Sequence, residues 1–374
     1  MVKFFRSVAW NVAFVTIPSL CLLGLLLEVM IRLFFPVSDV PQTVFSPGIG
    51  NHFLPNQKGI YIKGVNSEIK ARYRINSDGW NSPYEYSRKK SDKVYRIAVI
   101  GDSYVEALQV DYDKSFPYLL EMKLSKTDNC EFEVYSFGHS GANLIQYLNV
   151  LRNAVVQLRP DLVIYNIVYN DFQESLYGYA RKDNWSVSIK GKSINQVPPI
   201  PLNTHLIKRI ISKSALARYI VINLDILSKI SLIRDFLAFD ERRHESNIDL
   251  DADVITDQDL LHNLLQYFLS ETNKVADKVG FDVALVIDAN REAIYRNTDP
   301  SSTISFRLNT DLSAVAKSVD IKMLDLTDVF LYSWKKLHKP FNWDIDSHWN
   351  DTGHELVAQE LTKFIHSREH SICD

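Results

Sequence analysis

Cysteine is scarce in this sequence, with Cys21, Cys130 and Cys373 its only three. None forms a CxxC pair, so neither a zinc site nor a disulfide framework is indicated, and a lone Cys130–Cys373 bridge is not expected. A surplus of charge is missing too. The net charge of −3 leaves no basic footprint, which excludes a nucleic-acid partner. Internal repeats, low-complexity runs and clusters of metal-ligating side chains are absent, and no cofactor is called for. What remains is an ordinary globular composition, long enough for one large domain with attachments or for two domains.

The first feature present is an apolar run. Residues 1–6 carry Lys3 and Arg6, and Val8 to Phe35 is dominated by Val, Leu, Ile, Phe and Ala, with no charge between Ala13 and Leu27. Roughly 20 apolar residues span a bilayer as a helix. The run reaches that length through Glu28, which can pair with Arg32 one turn on. A cleaved signal peptide is the rival, but its apolar region is shorter and ends in small residues, whereas this run ends in Met30-Ile-Arg-Leu-Phe-Phe-Pro36. A helix packed in a soluble core would be polar on one side. Residues 1–35 are therefore expected to be a cytoplasmic N-terminus and a transmembrane anchor, with the membrane contacted through residues 8–35. The basic residues before the run place the remainder outside, although Arg32 on the far side opposes that orientation.

Residues 36–92 are expected to be a linker and a small β region. Pro36, Pro41, Pro47 and Pro55 exclude a helix in its first part. Gly59 to Lys63 and Ile69 to Ile75 have strand-like composition, and Asn76-Ser-Asp-Gly-Trp80 closes the region with turn residues.

From Val94 onward the pattern alternates. Tyr95–Ile100 and Asp161–Val168 read as strands buried on both faces, Phe132–Ser136 as a short strand, and Phe281–Ile287 and Val319–Leu326 as the fourth and fifth strands. Phe116–Leu124, Asn143–Leu158 and Asn350–His366 read as helices, the second ended by Pro160 and the last starting at a capping Asn or Asp. Strands alternating with helices imply an α/β fold, a parallel sheet with right-handed crossovers. Between Phe172 and Asp257 the alternation stops. Tyr177, Tyr179, Trp185, a bend at Pro198–Pro201 and a helical stretch at Ser214–Phe236 make this an insertion of about 172–256. It reads either as a substrate wall or as a subdomain without contact to substrate.

Ligand sites in open α/β sheets lie beyond the carboxyl ends of the strands, and three strand ends carry polar residues. Gly101-Asp-Ser103 follows the first, Gly138-His-Ser-Gly141 the second and Tyr169-Asn-Asp171 the third. The first has an ordinary reading as a strand-to-helix turn with Asp or Ser as the helix cap. Near the C-terminus, Asp344-Ile-Asp-Ser-His-Trp-Asn-Asp-Thr-Gly-His354 offers His348 as a base and Asp346 as the carboxylate that orients it, the partners a Ser103 nucleophile needs. Developing oxyanion charge needs aimed donors, and the Ser103 amide, a glycine amide of the second loop and the Asn170 side chain are suitable. His139, His354, Asp171, Asp102 and Trp349 have simpler structural readings.

These four blocks, in this order, resemble the SGNH (GDSL-type) hydrolase superfamily. The resemblance implies Ser103 as nucleophile, Gly141 (with Gly138 as fallback), Asn170 and the Ser103 amide as the oxyanion hole, and His348 with Asp346 completing the catalytic set, Asp344 being a weaker orienter. It further implies a three-layer α/β/α sandwich with a five-stranded parallel sheet, flavodoxin-like, over residues 93–374. Some positions depart from the family pattern. Val168 stands where the third block has Gly, Ser136 where the second often has Asn, and Ile345 where many members carry the Asp. The D-x-H spacing is similar to SGNH-like alginate O-acetyltransferases. The anchor and the Asn76–Trp80 turn resemble bacterial membrane-anchored SGNH proteins of surface-polysaccharide loci. That implies a single-pass protein of the bacterial inner membrane with a periplasmic catalytic domain.

Three functions follow as expectations. The first is a serine esterase acting on acyl, chiefly acetyl, esters of a surface carbohydrate. The second is an O-acyltransferase using the same residues, with a sugar hydroxyl in place of water; its acyl donor would come from a multi-pass membrane acyltransferase partner. The third is a non-catalytic glycan- or partner-binding module.

Overall fold

The computed structural model of the chain describes residues 10–127, 131–191, 193–201, 212–226 and 257–368. Cys130, Cys373 and residues 227–236 of the expected helical stretch lie outside these. Two compact units emerge, one of residues 1–40, 60–70 and 203–238, the other of residues 41–59, 71–202 and 239–374.

In the first unit the apolar run forms helix α1 (Ile17–Phe34), preceded by a wider helical turn at Val12–Thr16. It is the one helix, among the described residues, long and apolar enough to cross a membrane. In the second unit, β1 (Thr43–Ser46) and β2 (Gly50–Phe53) pair antiparallel. Over residues 57–75, part of which belongs to the first unit, strands β3 (Gln57–Lys63) and β4 (Ile69–Ile75) form a two-stranded sheet where the composition called for strands.

The apolar runs then build the parallel sheet. They become β5 (Val94–Gly101), β6 (Glu131–Gly138), β7 (Leu162–Ile167), β10 (Asp282–Ile287) and β11 (Lys322–Asp325). All neighbours are parallel, in the order β11-β10-β7-β5-β6. Side chains alternate across a strand, and β5 shows why its run is apolar throughout. Ile97 and Val99 join a cluster with Phe116, Leu120, Phe330, Trp349 and Leu361 on one face. Ala98 and Ile100 join Leu144, Leu148, Phe268, Leu308 and Leu312 on the other. The helices α3 (Phe116–Thr127), α10 (Thr327–Leu337) and α11 (Asp351–Arg368) thus cover the first face. Helices α4 (Leu144–Val150), α7 (Gln258–Val279) and α9 (Ile304–Ser318) cover the second. This is the expected three-layer sandwich.

The helix expected over Asn143–Leu158 is regular only to Val150, then widens at Leu151–Val155 and tightens at Val156–Leu158. Helix α7 is an addition to the expected elements. Its buried Leu261, Leu264, Leu265, Phe268, Leu269, Thr272 and Ala276 keep the three-to-four spacing of a core-facing helix, and Asp257 caps it by accepting from the Leu260 amide at 3.0 Å. The insertion is divided. Residues 172–202 belong to the sheet-bearing unit and include a hairpin, β8 (Ser186–Lys190) and β9 (Ser193–Val197). Residues 203–238 belong to the unit of α1.

Candidate active site

Strand β5 ends at Gly101, and the chain turns at once into the short helix α2 (Ser103–Glu106). The Asp102 carboxylate accepts from the Tyr104 amide at 3.0 Å and so caps α2. This is the structural part expected of it. Ser103 is thereby the first helical residue, buried at the carboxyl end of a central strand. The apolar contacts of Tyr104 and Val105 with the sheet hold α2 down.

The loop after β6 packs directly on α2. Gly101 and Gly138 are paired in the sheet, and a Cβ on Gly138 would stand 1.9 Å from the Glu106 amide nitrogen. Gly138 is thus required for the backbones to approach, a packing role that explains the residue without any chemical one. Gly141 is different. Its φ of +71° is in the left-handed region that favours glycine. The turn containing it is gripped by Glu106, which lies one helical turn after Ser103. The Glu106 carboxylate accepts from the Ser140 amide at 2.7 Å and from the Ser140 hydroxyl at 2.8 Å. The Asn81 side chain donates to the Glu106 carbonyl at 2.8 Å. His139 is buried, and burial, then the charge of Arg181, holds its pKa down at about 4. It is therefore neutral near neutral pH. Asn143 closes the loop by capping α4, accepting from the Ile145 and Gln146 amides.

After β7 the chain enters helix α5 (Asn170–Glu174), with Asn170 at its start and nearly buried. Asp171 accepts from the Val168 amide at 3.0 Å and from the Tyr147 hydroxyl at 2.9 Å. Burial, then the negative charge of nearby Asp102, raises its pKa well above the carboxylate range. Asp171 therefore locks the loop that presents Asn170. Because β5 lies between β6 and β7, the loops carrying Ser103, Gly141 and Asn170 follow three adjacent strands.

His348 and Asp346 sit on β13 (Asp346–Trp349), paired with β12 (Asn342–Trp343). Residues two apart on a strand share a face. Asp346 Oδ1 accordingly receives both the His348 backbone amide, at 3.0 Å, and the ring Nδ1. Both residues are buried, whereas Asp344 is exposed. With Nδ1 held by the carboxylate, Nε2 is the nitrogen on the opposite edge of the ring.

Helix α2 packs against β13, and Tyr104, beside Ser103, makes the link. Its hydroxyl donates to the Ser347 carbonyl at 3.1 Å and accepts from Arg291 Nη2 at 2.6 Å. Its ring lies 5.0 Å from that of His348. Arg291, on helix α8 (Arg291–Tyr295), also donates to Asp288 at 2.9 Å. Trp349 Nε1 donates to the other oxygen of Asp288 at 3.2 Å. This places Trp349 in the core, where it is fully buried. Below it, the buried His354 accepts the Phe116 amide at 3.2 Å through Nδ1. Burial, then the charges of His348 and Arg291, holds its pKa down at about 3.

The sequence reading missed this supporting shell. Tyr104 and Glu106 share helix α2 with Ser103, but Asp288 and Arg291 lie far along the chain, and only Glu106, a carboxylate one turn after Ser103, left a local signal. It also left the insertion open between two readings. Its first part does pack on the second loop, since Asn184 donates to the Gly141 carbonyl and the Arg181 side chain lies against Gly141. Arg181 is itself braced by Asp183 at 2.9 and 3.1 Å. Chemically, the arrangement offers a serine hydroxyl at a helix start, a carboxylate-oriented imidazole on an adjoining strand, and amide donors on two neighbouring loops.

The family model described as GDSL-like Lipase/Acylhydrolase matches residues 97–361. Among solved structures, the acetyl xylan esterase AlAXEase is similar at 15% identity, covering 72% of this chain and 99% of that one with a TM-score of 0.42. Axe2, an acetylxylan esterase from Geobacillus stearothermophilus, is similar at 12% identity over 72% of this chain and 94% of that one, TM-score 0.41. A lipase/acylhydrolase from Enterococcus faecalis gives 13% identity over 73% and 96%, TM-score 0.39. No curated protein matches the chain.

Proposed function

From the premise that this chain belongs to the GDSL-like lipase/acylhydrolase family, we propose that it is a membrane-anchored, extracytoplasmic serine esterase. Its proposed substrates are acyl esters, chiefly acetyl esters of a surface carbohydrate. Ser103 Oγ attacks the ester carbonyl, and His348 Nε2 takes the hydroxyl proton and returns it to the leaving alcohol. The Ser103 and Gly141 amides and the Asn170 side chain receive the oxyanion. Water, deprotonated by the same imidazole, then releases the acyl group.

One observation carries this reading. Asp346 binds the His348 ring through Nδ1 on a strand against which the Ser103 helix packs. That bond sets the tautomer in which Nε2 is the base. The intact set weighs against a purely binding module. The anchor reading is supported by Glu28, which accepts from the Ser214 hydroxyl and the Ala215 and Leu216 amides, a contact that a cleaved leader would not retain. The carbohydrate class and the periplasmic location rest on the resemblance described above.

The test uses the full chain in detergent with p-nitrophenyl acetate, following release of nitrophenol and acetylation of Ser103 by mass spectrometry. Ser103→Ala is expected to lower kcat on the order of 10⁴-fold or more. Turnover retained in that variant would overturn the mechanism. Adding acetyl-free oligosaccharides separates esterase from O-acyltransferase: acetylated sugar in place of free acetate would assign the transferase.

A further inference from the structure

Glu28 lies about 9 Å before the end of α1 at 1.5 Å of rise per residue, within the apolar span. An ionisable group at such depth calls for partners, and the insertion supplies them. Besides Arg32 at 2.6 Å, Glu28 accepts from the Ser214 hydroxyl at 2.7 Å and from the Ala215 and Leu216 amides at 2.9 Å each. Arg32 in turn donates to the Lys213 carbonyl at 2.8 Å. These bonds fix the start of helix α6 (Ala215–Arg218) at the level of Glu28.

The segment continues as a wider helical turn at Tyr219–Asn223 and climbs along the outer end of α1. The Tyr219 ring meets Phe35 at 5.5 Å. Asn223 donates to the Pro36 carbonyl at 3.0 Å and accepts the Ser38 amide at 3.1 Å. Arg218 donates to the Ser38 carbonyl at 2.8 Å. The run Ala-Leu-Ala-Arg-Tyr-Ile-Val-Ile-Asn thus turns its two polar long side chains, Arg218 and Asn223, toward the chain just beyond the anchor. Leu216, Ala217, Ile220, Val221 and Ile222 stay only partly covered. At the same height α1 exposes Leu25, Leu26, Val29, Leu33 and Phe34, each more than half accessible. Both elements thus carry incompletely covered apolar side chains beside the Glu28–Ser214 contact, and a bilayer surface would cover both. A helix facing water would carry a polar face, and between Ala215 and Ile222 the only charged side chain is Arg218, which is turned to Ser38.

We propose that Ser214–Asn223 is a second membrane-contacting element, immersed at the boundary of headgroups and acyl chains beside the outer end of the anchor, with the bilayer surface as its ligand. The inference rests on the anchor reading given under Proposed function. It makes the latter part of the insertion a lipid-binding element.

The test places the full chain in phosphatidylcholine nanodiscs with one cysteine at a time carrying a fluorophore. The sites are native Cys21, I220C, L216C as a second site in the same segment, and S193C on β9 as an aqueous reference. Nitroxides are carried on the lipid headgroup, or shallow or deep in the acyl chain. Labels at I220C and L216C are expected to be quenched several-fold more than at S193C, and most by the shallow nitroxide, while Cys21 responds most to the deep one. If I220C and L216C both behave like S193C while Cys21 is quenched, the second contact is refuted and the anchor stands. If Cys21 is not quenched either, the anchor reading fails and this inference fails with it.

Discussion

Glu106 gives the sharpest handle on how the site is held. Its two carboxylate oxygens take the Ser140 amide and the Ser140 hydroxyl at 2.7 and 2.8 Å, one residue before the glycine whose amide is to receive the oxyanion. Glu106→Gln keeps the shape but offers one acceptor instead of two and removes the charge. The amide nitrogen of Gln, if turned toward the Ser140 N–H, would be donor against donor. A hydrogen bond to a charged group is worth about 1.5–3 kcal/mol. Glu106 is buried, so water does not replace the loss. If the loop shift is felt only where oxyanion charge develops, that loss appears in kcat alone, about ten- to a hundred-fold at 1.36 kcal/mol per decade. KM for p-nitrophenyl acetate should stay unchanged. Steady-state kinetics on the full chain measure both constants, and circular dichroism checks the fold. A Glu106→Gln variant that folds normally and keeps kcat would refute the reasoning. So would one in which KM rises while kcat holds, because the loop would then be binding substrate rather than stabilising the transition state.

Other expectations follow from the same geometry. Gly138→Ala sets a Cβ against the backbone of Val105 and Glu106, at 2.4 and 1.9 Å. It should lower stability by about 3 kcal/mol or more, read as a drop in Tm with loss of activity; an unchanged Tm would show that the backbones can part. Asp346→Asn should cut kcat about 10⁴-fold, as in serine triads that lose their tautomer control, with the fold intact by circular dichroism; a loss under tenfold would show that another group orients His348. His354 makes a pH prediction. Its folded pKa of about 3 lies below the ordinary 6.5, so between those values the unfolded chain binds the extra proton and stability falls as pH falls. The slope is about 1.4 kcal/mol per pH unit. In His354→Gln the dependence of unfolding free energy on pH between 6.5 and 4, measured by urea denaturation, should flatten by that amount, and an identical slope would remove His354 from the account.

Much of the fold was legible because parallel strands are buried on both faces. Tyr95–Ile100 and Leu162–Ile167 could be recognised as strands from their apolar, β-branched content, and a run such as Ala13–Leu27 is conspicuous by its lack of charge. The first three site blocks were legible because each follows a strand of the parallel sheet, where a short loop leaves little freedom. Asp346 and His348 could be paired from spacing, and their strand geometry places both on one face. Less readable was what supports these groups. Arg291 pairs with Asp288 three residues before it but meets Tyr104 across 187 positions, and no local pattern encodes that second meeting. Helix α7 went unmarked beside the irregular insertion, although its apolar spacing is regular.

By itself, then, the chain's order of residues determined the sandwich, the apolar helix and the identities of Ser103, Gly141, Asn170, Asp346 and His348 as candidates. Those properties depend on periodicity, composition and near neighbours. The tertiary structure alone decided that Gly138 serves packing, that Glu106 grips the second loop, and that the insertion is split between the sheet and the apolar helix. Each of these depends on which distant surfaces meet, and burial sets their energies only once the elements have come together.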